Sequence, residues 1–124
     1  MIRIVLYGSS LAFAGIGALF LYDPAGMATR VGLGLTGAIA DNDVRAVYGG
    51  LQLGCAAFLA LCAARPAWHA PGLAAQLLSF GGLFGARCVS LVAVGSPGPL
   101  GLFLHGAEGV GLVLGLLAWR RLRR

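Results

Sequence analysis

The amino-acid sequence predicts an all-α integral membrane protein: a four-helix up-down antiparallel bundle with a short interfacial helix between its first and second spans. Three observations carry that expectation. Of 124 residues, 59% are hydrophobic and only 10% charged, and the mean hydropathy of +0.89 lies well outside the soluble globular range. Four stretches, residues 4–22, 44–64, 73–94 and 100–119, reach the roughly 20 apolar residues that a membrane helix needs. Helix-ending punctuation separates them at Asp23-Pro24, Arg65-Pro66, Pro71-Gly72 and "GSPGP". No linker, charge block or long polar tail divides the chain, so residues 1–124 read as a single transmembrane domain.

The first span, 4–22, also has the outline of a signal peptide, because a basic start and an apolar run lead to "AFAG" at residues 12–15. The run continues past that point to full membrane length, which favours a span. The connection 23–43 is long enough for an interfacial helix with Asp23 as N-cap and Pro24 at its first position. Asp41, Asn42 and Asp43 are expected to cap the second span and complement its dipole. The remaining connections are short, as an up-down bundle requires.

All nine basic residues are arginines, and the net charge is +5. Four of them crowd into "RRLRR", a membrane-edge pattern rather than a face for nucleic acid. With alternating spans, Arg3, Arg65 and the C-terminal four share one side, whereas the other carries only Arg30 and the helix-end Arg45. The positive-inside rule then puts both termini in the cytoplasm. Trp68 and Trp119 fit an aromatic belt near those ends, and His69 falls in the loop on that side.

Cys55, Cys62 and Cys88 lie in apolar runs, odd in number and without CxxC spacing, so they read as packing residues. Small-xxx-small pairs recur at Gly8/Ala12, Gly50/Gly54, Gly81/Gly85 and Gly111/Gly115, and would let helices approach closely without locating an interface between copies.

Depth singles out three polar side chains. At 1.5 Å per residue, Gln52 and Glu108 lie about 12 Å, and Arg87 about 10 Å, from the outer ends of their helices. Arg45, Tyr48 and Gln52 follow i, i+3, i+7 spacing; His105 and Glu108 follow i, i+3. A lone ionised carboxylate is costly in hydrocarbon, so Glu108 should pair. Arg87 is its expected partner, with Arg45 second, although Arg45 can instead reach the surface or take Asp41 or Asp43. Such a network can simply fix helix register. It can also form a pocket in which Arg87 and Arg45 receive a lipid or a small anionic or carbonyl-bearing ligand, oriented by Tyr48, Gln52 and His105.

No metal site or cofactor is expected, because His105-x-x-Glu108 is one pair of ligands without a second, beside repelling arginines. No nucleophile and base pairing, phosphate loop or zincin motif is visible.

"DPAGMATRVGLGL", "DNDVRAVYGGLQLG", the Arg87-bearing third span and the Glu108-bearing fourth resemble the small bacterial membrane proteins of domain-of-unknown-function family four-three-four-five. The resemblance covers nearly the whole chain and is most specific over "RAVYGGLQLG", residues 45–54. It implies four membrane helices, carries Arg45, Tyr48, Gly49, Gly50 and Gln52 as motif positions, and implies no activity. The plan is also similar to that of DoxX-type four-helix membrane proteins.

The leading functional expectation is a non-enzymatic bundle that binds a lipid or small ligand, or docks a membrane partner or a second copy. A small oligomeric proton-coupled transporter using Glu108 is the alternative. It resembles the small multidrug transporters in plan, but their carboxylate sits in the first span, which here is uncharged beyond its edge. An intramembrane enzyme with His105 and Glu108 as acid and base comes third.

Overall fold

The computed structural model describes residues 1–124 and contains only helices. In chain order these are α1 (Ile2–Tyr22), α2 (Pro24–Arg30), α3 (Gly37–Val44), a π-helical turn (Arg45–Gly50), α4 (Leu51–Ala64), a 3₁₀ turn (Pro66–Trp68), α5 (His69–Ala93) and α6 (Gly98–Leu122). Four continuous helical segments, Ile2–Tyr22, Gly37–Ala64, Pro66–Ala93 and Gly98–Leu122, are long and apolar enough to cross a membrane. The first turn of α5 holds Pro71, which is tolerated there because a first-turn N–H has no intrahelical partner to lose. Arg65 is extended, with φ −113° and ψ 111°, the conformation that a following proline imposes.

Asp23 ends one helix and starts the next: its carboxylate accepts the Gly26 N–H at 2.9 Å, and Pro24 opens α2. Asp23→Ala is expected to cost about 1 kcal/mol, within the range for lost N-caps. Faster amide exchange across residues 24–30, with α1 unaffected, would be its signature, and unchanged exchange would deny the cap its role.

The second long helix begins earlier than its apolar run. It starts at Gly37, whose φ of +80° turns the chain in from the loop, and Thr36 offers no side-chain cap. Asp41, Asn42 and Asp43 therefore lie inside the helix rather than capping it. Asp41 instead meets Arg45 one turn on, at 2.8 Å.

Helix α1 packs chiefly on α4, and α5 chiefly on α6. The two pairs join through a core at the end that carries both chain termini, built from Leu6, Cys62, Ala63, Leu73 and Ala118 and extended by Phe13 and Phe80. Those two rings meet edge to face with centroids 5.5 Å apart. The Ser10 hydroxyl donates to the Ala56 carbonyl at 2.7 Å, tying α1 to α4 inside the core.

Of the small-xxx-small pairs, only Gly111/Gly115 lies at a helix contact on both residues. Side chains from α5 fill the notches, with Phe80 over Gly111 and Gln76 over Gly115, whereas Gly8, Gly54 and Gly85 face open space.

Candidate functional site

Toward the end distal to the termini Phe20, Ala28 and Val44 stay buried on the α1 side, whereas burial thins out on the α5–α6 pair. Beyond Phe80 on α5 and before Gly115 on α6, Glu108 is the sole buried residue of that helix pair. A carboxylate is thus buried where its apolar neighbours are not, so a specific partner must account for it.

That partner is Arg87. Its Nε–H points between the carboxylate oxygens, 2.7 Å from Oε2 and 2.9 Å from Oε1 of Glu108. The Glu108 side chain is 10% exposed and that of Arg87 34%, so one end of the guanidinium seals the carboxylate while the other stays open. Neither Nη1 nor Nη2 of Arg87 makes a hydrogen bond within the chain. Arginine can hold a carboxylate with two N–H groups in parallel; here one N–H serves both oxygens and both terminal amino groups remain available.

His105 stands one turn from Glu108 and stacks on Phe84 with centroids 4.3 Å apart and planes 19° from parallel. Its Nε2 lies 3.9 Å from Cys88 Sγ, and its Nδ1 is buried without a partner. This thiol and imidazole contact corrects the reading of Cys88 as packing alone and of a chain lacking any nucleophile beside a base. His105 and Glu108 do not bond to each other.

The other sequence-derived site residues face α1. Arg45 donates from Nε to Asp41 and from Nη1 to the Leu21 carbonyl at 2.6 Å. Tyr48 stacks on Phe20 with centroids 5.1 Å apart. The Cβ of Gln52 packs at Gly17, and the Gln52 Oε1 is buried without a partner. Arg45, Tyr48 and Gln52 do share one helix face, but it is turned to α1, and Arg45 takes Asp41 rather than Glu108. The π turn lies within this segment, and π turns inside α-helices occur often at functional positions.

Gln76 is a further buried polar residue on the α5–α6 seam. Its Nε2 donates to the Gly111 carbonyl at 2.8 Å, leaving Oε1 buried and unpaired. No group of three or more His, Cys, Asp or Glu side chains with metal-binding geometry is present.

Fold and site together define a four-span membrane protein with a buried arginine–glutamate bridge on its last helix pair. The chain belongs to the family described as "Domain of unknown function (DUF4345)", which matches residues 1–119 and is the one the "RAVYGGLQLG" segment resembles. No curated protein and no solved structure matches it.

Proposed function

We propose that the protein is a non-enzymatic bundle of a bacterial inner membrane, with both termini cytoplasmic, that binds a lipid or small ligand through an oxygen acceptor seated on Arg87. The observation that carries this reading is the division of labour within one guanidinium: Nε is spent on Glu108, and both terminal amino groups are unspent on a partly exposed edge. Because Glu108 already balances the charge of Arg87, a neutral carbonyl oxygen suits this edge as well as an anion does. His105 Nδ1 supplies a further unpartnered polar atom on the same helix pair. Arg45, Tyr48 and Gln52 are turned to α1 and take no part at this edge.

A proton-coupled transporter would have to release Glu108 from Arg87 in every cycle, which the close two-oxygen contact opposes. The test is Arg87→Lys. An ammonium can still neutralise Glu108 but cannot present a second planar edge. Native mass spectrometry of protein released from nanodiscs should show one bound mass fewer in Arg87→Lys than in the wild type, at equal thermal stability. Equal ligand content in two folded proteins would remove the proposal.

A further inference from the structure

A second site lies between α1 and α6, running from the end that carries the chain termini toward the level of Glu108. We propose that this groove holds one acyl chain of an anionic phospholipid whose headgroup is bound by arginines at the end carrying the chain termini.

The groove has a volume of about 450 Å³; Ile4, Gly8 and Ala12 line it from α1, Ala107 and Leu114 from α6, and Phe80 from α5. The α1 residues recur at one-turn spacing and so form a continuous wall. Nothing lies within 4 Å of where a Gly8 Cβ would stand. From Ile4 to Ala12 the wall rises about 12 Å, less than one leaflet of a hydrocarbon core about 30 Å thick. An apolar trough of that depth matches a lipid tail entering from the nearer surface.

That surface supplies the matching charge. Arg3, Arg65, Arg120, Arg121, Arg123 and Arg124 lie at this end, whereas Asp23, Asp41 and Asp43 belong to the other end and Glu108, in mid-span, is paired with Arg87. Arg65 and Arg123 lie over Trp68 and Trp119, each at 5.3 Å. Arg3, Arg120 and Arg121 are exposed and have no acceptor in the chain.

Charge decides among the occupants. A second copy would bring the same unopposed arginines against these, which like-charge repulsion disfavours. A free anion would leave the trough unfilled, and a zwitterionic lipid would carry a cation of its own into the cluster. An anionic phospholipid satisfies both features, since phosphate accepts from guanidinium while its chain covers apolar surface.

The experiment uses the full chain in nanodiscs of phosphatidylglycerol and phosphatidylcholine in equal parts, followed by native mass spectrometry of the released protein. The wild type should retain one phosphatidylglycerol with roughly tenfold preference or more, as several arginines at a membrane surface allow. Gly8→Leu, which fills the trough, and Arg120→Gln/Arg121→Gln, which removes headgroup donors, should each abolish that preference. Gly54→Leu adds the same bulk facing a different groove and should leave retention unchanged. Preference intact in Gly8→Leu would mean surface adsorption alone. Equal retention of both lipids would mean ordinary bilayer contact, and dimers in place of lipid adducts would mean a second copy. Any of these outcomes overturns the proposal.

Discussion

Replacing Arg87 with methionine should destabilise the protein by about 3 kcal/mol, because removing one member of a buried ion pair strands the other. The stranded group is Glu108, the sole buried residue of the α5–α6 pair in the distal half. Water cannot solvate it freely at 10% side-chain exposure, and no other side chain donates to it. Adding Glu108→Met should restore most of the loss, since two apolar groups of similar volume can replace a buried pair at little cost. A double-mutant cycle on reversible unfolding in mixed micelles measures this directly. Additive losses, or a single-mutant effect below about 1 kcal/mol, would show that the bridge contributes little to stability, as many membrane hydrogen bonds do.

Gly72→Ala should cost 1–3 kcal/mol on the scale of overpacked cores. A Cβ at residue 72 would overlap the Cβ of Cys62, with Cys62 Sγ at 3.1 Å and Leu6 Cδ1 at 3.3 Å. Both neighbours are completely buried, so neither can swing aside as an exposed side chain would. Because this contact lies in the core that joins the two helix pairs, thermal denaturation of the variant should fall well below wild type. Gly85→Ala is the matched control, since nothing lies within 4 Å of its added methyl group. Alanine's better helix propensity, worth up to about 1 kcal/mol, should leave that variant at or slightly above wild-type stability. Equal behaviour of the two variants would contradict the close approach at Gly72.

Much of the frame was legible in the sequence because its signals are local. Each long apolar run became a helix, and Asp23-Pro24 produced the cap and first turn that those residue types favour. Helix starts were less legible: hydropathy reports what fits in lipid, whereas the backbone stays helical through the polar stretch from Gly37 to Val44.

The site was half legible for a comparable reason. Depth along a span is a count of residues, and it brought Arg87 to Glu108. Rotation about the helix axis depends on packing, so depth alone could not show that Arg45, Tyr48 and Gln52 turn to α1. The Cys88–His105 contact needed the register of the α5–α6 hairpin. Once Arg87 is set opposite Glu108 in an antiparallel pair, Cys88 falls beside His105 and Phe84 reaches His105 and Gly109. Glycine spacing was similarly silent about which glycines have a neighbour, and the bulky α5 residues opposite Gly111 and Gly115 decided it.

Arg87 meets Glu108 with Nε and leaves both terminal nitrogens without a partner in the chain. Solid-state NMR in lipid bilayers, with ¹⁵N-arginine and ¹³C-glutamate labels and the Arg87→Lys variant for assignment, measures which nitrogen couples to the Glu108 carboxyl carbon. The strongest dipolar coupling should fall at Nε, with weaker coupling at both Nη positions. A dominant coupling from both Nη atoms would mean that the carboxylate already occupies the edge assigned to a ligand, and that Arg87 has no free edge to offer.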